Sequence, residues 1–315
     1  MTGTGRKGHR IMERNILLTI EYDGSGFSGW QRQPHVRTVQ GEIEEALSRI
    51  CGCEIQINGT SRTDAGVHAL GQRASFKGDF GIPTENIRPA LNNILAGGGR
   101  YGAVLGDIRI IEAAEVGADF HARFDARGKK YRYIIENKKY GDIFRRKYCY
   151  NVDKPLDEEA MKKAAQAVTG THDFASFQSA GGQPRLTTVR TVHTLDIYRQ
   201  GDDVIMEITG DGFLYNMVRI IAGTLTEIGL GKRRPQDMAQ IINARDRAAA
   251  GHKAPAGGLY LAGLPPRRHA GAVPRPDREA GHRRPAGLPP PGAHSPGRGV
   301  LHPGGHRPRH GQRLS

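Results

Sequence analysis

A short polar stretch at 58–70, NGTSRTDAGVHAL, holds the side chains best suited to chemistry. Asp64 stands two positions after Arg62, and Gly66 follows it in a pattern typical of a tight turn between strands. An ordinary turn, in which the aspartate binds nearby backbone, is the simpler interpretation of Asp-Ala-Gly. A basic loop that presents one carboxylate beside an arginine also suits a nucleophilic aspartate acting on a polyanion, and we predict this role for Asp64.

A second stretch, FHARFDARGKKYRY at 120–133, alternates basic and aromatic residues. Basic side chains bind phosphates and aromatic rings stack on bases, so the composition is typical of nucleic-acid binding. In an extended strand, Tyr131 and Tyr133 share one face while Lys130 and Arg132 share the other. A half-buried strand with a solvated basic face is the competing interpretation.

A third stretch, GDGFLYNMVRIIAG at 210–223, places Arg219 inside an otherwise apolar helical pattern. A buried arginine is costly unless a carboxylate pairs with it. Asp64 is one candidate partner. The alternatives are Glu227 or Asp211, or a guanidinium that reaches water at the helix margin.

Periodicity predicts the elements that position these residues. Alternating apolar residues predict strands at 15–23, 54–58, 70–77, 107–115, 130–136, 188–198, 204–209 and 258–261. Helical spacing predicts helices after Thr38 and Thr84 and over 156–169, 213–230 and 235–244. Because strands and helices mix with hairpins rather than in strict βαβ order, we predict an α+β fold with mainly antiparallel sheet.

Composition excludes several classes of protein. The chain has 315 residues, and 46 Lys and Arg against 32 Asp and Glu give a net charge of +14. No apolar run reaches the roughly 18 residues of a membrane span, and no apolar segment follows the basic N-terminus as in a secretory signal. Three cysteines cannot form a disulfide framework and suit a reducing cytoplasm, which is the predicted location.

The C-terminal stretch 264–315 differs in composition from the rest of the chain. It has 11 Pro, 9 Gly and 10 Arg but no Lys, and it carries +8 of the +14. We predict a disordered tail, because such a segment cannot bury enough apolar surface to fold. It is either a basic RNA-binding arm or an out-of-frame reading of GC-rich DNA. The other predicted divisions are a basic extension at 1–13 and two α+β halves at 14–115 and 116–263.

The sequence calls for no cofactor and no metal. Cys51-Gly-Cys53 lacks the second pair that a zinc site needs. No glycine-rich pattern matches a phosphate-binding loop or a dinucleotide fingerprint.

The three stretches SRTDAGVHALGQ, FHARFDARGKKYRYI and GDGFLYNMVRIIAGTL resemble, in this order, the signature stretches of the tRNA pseudouridine synthase A family. YDGSGFSGWQRQP and HDFASFQSAGGQPRLTTVRTV resemble further family stretches, so the resemblance spans about 14–262. It implies two similar halves with mainly antiparallel sheet, helices packed on one side, and a basic cleft between the halves. It also implies a homodimer that binds tRNA and isomerises uridine to pseudouridine at positions 38, 39 and 40 of the anticodon arm, with no cofactor.

The resemblance also implies roles for four residues. Asp64 matches the catalytic aspartate and Tyr131 a tyrosine that contacts the substrate. Arg219 matches the basic residue that pairs with the aspartate, and we expect it to keep Asp64 ionised by lowering its pKa. Arg62 matches the arginine that holds the target nucleotide out of the stack. Whether the carboxylate attacks the sugar, stabilises its cation or removes a sugar proton stays open.

Two other functions compete with this one. A tRNA-binding folding chaperone would bind without turnover, but binding alone needs no carboxylate facing a polyanion. A glycosylase or phosphohydrolase would also use an aspartate, although a phosphohydrolase needs an acidic metal-binding cluster that the sequence lacks.

Moving the target base out of the helix costs a few kcal/mol. We expect phosphate contacts from Arg123, Lys129 and Lys130 to offset this cost.

Overall fold

The structure, a computed structural model, describes residues 13–97, 105–181 and 186–263. The predicted tail at 264–315, and all but one residue of the predicted N-terminal extension, lie outside these ranges. Those two assignments, and the boundary between the halves, therefore stay predictions. Within the described residues the fold is the predicted α+β type, with ten strands and five α-helices.

All ten strands described belong to one sheet. Their order is β4-β1-β3-β10-β5-β9-β8-β7, with β2 paired to β3 and β6 to β5. Every pairing is antiparallel except β10 with β3 and β6 with β5. The strands are β1 Arg14–Tyr22, β2 Asn58–Gly59, β3 His68–Gly78, β4 Ile108–Glu115, β5 Lys129–Glu136, β6 Tyr150–Asn151, β7 Gly170–Asp173, β8 Val189–Gln200, β9 Asp203–Gly210 and β10 Leu259–Leu261.

The helices match the predicted positions with shifted ends. They are α1 Val39–Cys51, α2 Thr84–Leu95, α3 Glu158–Ala165, α4 Met217–Gly229 and α5 Asp237–Ala244. Thr38 caps α1 as predicted, because its hydroxyl accepts a hydrogen bond from the Gly41 amide. The predicted start of α4 at 213 is wrong, since Asn216 has a left-handed backbone with φ of 62° and the helix begins only after it.

Other differences concern short elements. Of the predicted strand at 54–58, only residue 58 is in a strand, as the first residue of β2. The predicted helix at 156–169 ends four residues early. The strands β6 and β7 were not predicted, because two and four residues are too few for a clear alternation.

One hydrophobic core runs through both predicted halves. It includes Ile16 and Leu18 of β1, Ile43 of α1, and Ile220 and Ile221 of α4, all fully buried. Because helices of both halves contribute to the same cluster, the halves do not have separate cores.

The three-residue strand β10 lies between β3 and β5 and so joins the strands of the two predicted halves within the sheet. Leu261 pairs with Ala69 of β3 on one side and with Tyr131 of β5 on the other. The His68 ring stacks on Tyr260 with centroids 4.8 Å apart, and His68 Nε2 donates to the Lys147 carbonyl at 3.0 Å. Strand β10 therefore sets the distance between β3 and β5.

The shortness of β10 also leaves room for the polar loop 60–67. Along the same edge of β3, β10 pairs at residues 68 and 69 and β2 pairs at residues 74 and 75. The loop that connects β2 to β3 therefore lies beside the junction of the two halves. In the described part of the chain, no helix has the length and apolar character needed to cross a membrane.

We predict that Leu261→Ala lowers the free energy of unfolding by about 2–5 kcal/mol, because the side chain is 2% exposed and its loss leaves a cavity at the junction. Leu70→Ala is the matched control, since that nearby leucine is 45% exposed. Urea unfolding monitored by circular dichroism measures both. Equal losses for the two variants would contradict a bridging role for β10.

Candidate active site

Buried polar side chains hold the loop 60–67 in place. Gln72 of β3 is fully buried, and its amide donates to the Ser61 carbonyl at 2.6 Å and accepts from the Ser61 N–H at 3.3 Å. The Tyr22 hydroxyl lies 2.7 Å from Thr63 Oγ1. Burial raises the pKa of Tyr22, so this hydroxyl keeps its proton. These bonds fix the backbone on both sides of Arg62.

The loop then turns sharply at Asp64. The Val67 N–H donates to the Asp64 carbonyl at 3.2 Å, and Gly66 has a φ of 77°, the left-handed conformation predicted for the Asp-Ala-Gly turn. On the outer side, the Trp30 N–H donates to the Thr63 carbonyl at 3.0 Å. A Cβ at Gly29 would lie 2.8 Å from that carbonyl, so only glycine allows the close approach.

Arg219 of α4 reaches the same place from a distant part of the chain. Its side chain is 11% exposed, and its Nη1 lies 3.6 Å from Asp64 Oδ2. Nε donates to the Ala254 carbonyl at 2.8 Å, and Nη1 donates to Asn216 Oδ1 at 2.9 Å. The structure thus pairs Arg219 with Asp64.

The two alternative partners of Arg219 are engaged elsewhere. Glu227 binds Arg233 and His252, at 2.6 and 2.8 Å. Asp211 Oδ1 accepts from the Thr191 N–H at 3.1 Å.

Burial raises the pKa of Asp64 above its usual range, and the attraction of Arg219 and Lys253 opposes the rise without cancelling it. Arg219 lowers the pKa of Asp64 as expected, but burial has the larger effect and the net shift is upward. The physical reason is that the guanidinium shares its donors with Ala254 and Asn216, so its attraction does not replace the water that the carboxylate has lost.

Tyr131 of β5 lines the same cleft as Asp64 and Arg219. Its side chain is nearly buried, and its ring meets the Phe213 ring edge-on with centroids 5.3 Å apart. Burial, with a smaller contribution from the Asp64 charge, raises the pKa of Tyr131 to about 12. The phenol is therefore neutral at physiological pH, and its ring orientation is set by Phe213.

Asp64, Arg62, Tyr131 and Arg219 all line one cleft of about 540 Å³. Asp64 is the only acidic residue among the described residues that line it. The basic residues of its lining are Arg62, Arg123, Lys129 and Arg219. An anionic ligand would therefore meet four cations and a single carboxylate.

Lys130 and Arg132 do not contribute to this cleft. Their side chains lie on the opposite face of β5 from Tyr131 and bind Glu207 at 2.7 and 2.6 Å. Glu207 stands directly across from Arg132 on β9. The competing interpretation, a solvated basic strand face, fits the position of both residues, and the expected phosphate contact from Lys130 stays a prediction.

Three further groups at the site were not predicted. Asn216 and the Ala254 carbonyl hold Arg219, and Lys253 acts electrostatically on Asp64. Asparagine adopts a left-handed backbone more readily than most residues. Asn216, directly before an apolar helix, was therefore the one sequence feature that could have indicated a special position at the start of α4. The segment before β10 carries no motif, and its position depends on Gly251, whose N–H donates to Thr224 Oγ1 at 2.9 Å.

The fold and cleft define a class of protein, an α+β protein with a basic cleft whose described lining contains a single, partly buried carboxylate. The described residues contain no cluster of three or more His, Cys, Asp or Glu side chains that would hold a metal ion.

Comparisons with known proteins give the family. The family model described as tRNA pseudouridine synthase matches residues 18–125 and 164–264. A tRNA pseudouridine synthase A of Acetivibrio thermocellus is 48% identical over 248 residues, covering 79% of this chain and 98% of its own. Those of Caldicellulosiruptor bescii and Halalkalibacterium halodurans are 46% and 47% identical, covering 79% and 78% of this chain and 98% and 90% of their own. The chain belongs to the tRNA pseudouridine synthase family.

Likeness among solved structures is weaker. A chain of a Cbf5-Nop10-Gar1 complex aligns over 77% of this chain and 56% of its own length, with 10% identity and a TM-score of 0.29.

We predict that Asp64→Asn stabilises the fold more at about pH 7.5 than at about pH 4. Because the folded-state pKa of Asp64 is raised, its ionised form costs stability above that pKa, and the cost declines as the pH falls towards the unfolded value. Thermal melts of parent and variant at both pH values measure the difference. Asp79→Asn, which removes an exposed carboxylate after β3, is the control. A gain that is equal at both pH values, or larger in acid, would contradict the raised pKa.

Proposed function

We propose that this chain isomerises uridine to pseudouridine at positions 38, 39 and 40 in the anticodon arm of tRNAs. The observation that carries the proposal is the Asp64 carboxylate, which lies 3.6 Å from the partly buried Arg219 and is the only acid among the described residues that line a basic cleft. The family of the chain supports the substrate class and the reaction.

The reaction suits a single carboxylate. The bond between C1′ and N1 breaks, the uracil turns, C5 bonds to C1′, C5 releases its proton and N1 gains one. Nothing is lost to water, so the paired acid and base of a glycoside hydrolase are not required. Asp64 acts at C1′, where attack on the sugar, stabilisation of its cation and removal of a sugar proton are the three routes available to it.

The other residues of the cleft bind and orient the substrate in this proposal. Arg219 positions the Asp64 carboxylate and offsets part of the cost of its burial. Tyr131 contacts the detached uracil and keeps it in place, since its ring is fixed by Phe213. Arg62 holds the target nucleotide out of the stack, while Arg123 and Lys129 contact phosphates at the same cleft.

The alternative function, a tRNA-binding folding chaperone without turnover, has no observation in its favour. Binding RNA without turnover needs cations, and a partly buried carboxylate among them opposes the binding of phosphates. We propose that the enzyme needs no cofactor or metal, and that it works in the cytoplasm.

We predict that the parent chain forms pseudouridine in an unmodified tRNA transcript with uridines at 38–40 and that Asp64→Asn forms none. Arg219→Gln should lose about 100- to 1,000-fold in rate, as for other groups that stabilise charge at a reacting centre. Nearest-neighbour analysis of labelled transcripts measures the product, and Asp79→Asn is the control. Turnover by Asp64→Asn, release of free uracil, or tight binding by the parent without product would each contradict the proposal.

We also propose that the enzyme is a homodimer. Support comes from Tyr140, Ile143 and Phe144, apolar side chains that are 65–84% exposed on the loop between β5 and β6. Sedimentation velocity should report a dimer for the parent and a shift towards monomer for Phe144→Glu. A monomeric parent at micromolar concentration would contradict this proposal and leave the catalytic one unaffected.

A further inference from the structure

The aromatic residues of the stretch 120–133 differ sharply in exposure. Tyr131 and Tyr133 are 9% and 0% exposed, and Phe120 is half-buried. Phe124 is 77% exposed. Of the four aromatic rings that the sequence offers for stacking on bases, Phe124 is therefore the one with a free face.

Backbone hydrogen bonds fix the turn that carries Phe124. The Phe124 and Asp125 N–H groups donate to the His121 carbonyl at 3.1 and 3.0 Å. The His121 N–H donates to Asp125 Oδ2 at 2.7 Å, and the Arg123 N–H donates to His121 Nδ1 at 3.1 Å. The His121 ring lies against the Phe124 ring with centroids 4.3 Å apart. The exposed ring is thus held in place before any ligand arrives.

The turn is attached to the loop of Asp64 and flanked by cations. Thr60 Oγ1 donates to the Ala122 carbonyl at 3.1 Å, and the Ala122 N–H donates to Ser75 Oγ of β3 at 3.0 Å. Arg123, next to Phe124, lines the cleft, and Arg127 is also exposed. A fixed aromatic face therefore stands beside arginines at the mouth of the proposed catalytic cleft.

We propose that Phe124, backed by His121, stacks on an unpaired base of the RNA substrate beside the uridine that enters the cleft. This inference rests on the proposed function. Base-on-ring stacking suits this surface, because every base has a face of the required kind and the adjacent arginines attract the phosphates. A second copy of this chain that met this face with the same face, across a two-fold axis, would bring the same arginines together.

The test compares RNA binding and chemistry in matched variants. Phe124→Ala should weaken binding of a tRNA transcript about 5- to 30-fold by fluorescence anisotropy. Its single-turnover rate constant at saturating RNA should stay within about 3-fold of the parent value, because Phe124 touches no reacting atom. Phe124→Tyr should restore binding. Tyr198→Ala, which removes an aromatic side chain 37% exposed on β8 and outside the cleft lining, is the control.

A direct readout comes from 2-aminopurine placed at each unpaired position next to the target. Stacking on Phe124 should quench its fluorescence at one position in the parent complex but not in the Phe124→Ala complex. Unchanged affinity for Phe124→Ala, or an altered sedimentation coefficient with unaltered RNA affinity, would overturn the inference. A parent chain that binds RNA through Phe124 but forms no pseudouridine would instead refute the proposed function alone.

Discussion

The ion pair between Asp64 and Arg219 is the constraint on which the rest of the site depends. A carboxylate that is only 25% exposed must be compensated, and its partner comes from a helix more than 150 residues further along the chain. The pair joins two distant parts of the chain, because the loop after β2 supplies the carboxylate and α4 supplies the guanidinium. The three-residue strand β10 brings these two elements to one place by pairing with β3 and β5 at once.

The hydrogen bonds around the pair keep Asp64 and Arg219 in position although burying the carboxylate is unfavourable. Gln72 secures the loop of Asp64 from within the sheet, while Asn216 and the Ala254 carbonyl hold the guanidinium. The pKa of Asp64 is nevertheless raised, so the charged carboxylate remains less favourable here than in water. The proposed catalytic role of Asp64 accounts for this loss of stability, since catalytic sites commonly keep groups that destabilise the fold.

Much of this could be predicted from local pattern. Apolar alternation marks β1 and β9, and the cap at Thr38 marks the start of α1. The chemistry of a buried arginine was enough to suggest Asp64 as its partner. What could not be predicted depends on tertiary register, which a local pattern does not contain. Lys130 pairs with Glu207 because β9 lies beside β5, and the roles of Gln72 and Lys253 exist only once β3 and the segment before β10 have packed around the loop.

The most direct test of the central pair is the titration of Asp64 itself. Carbon-13 labelling of aspartate side chains, with Asp64→Asn to assign the signal, gives the pKa of this carboxyl by NMR. A value above the usual aspartate range is predicted, together with a further rise in Arg219→Gln, because burial would then act without the opposing cation. A pKa at or below the usual value, or no change when Arg219 is removed, would contradict the account of the pair.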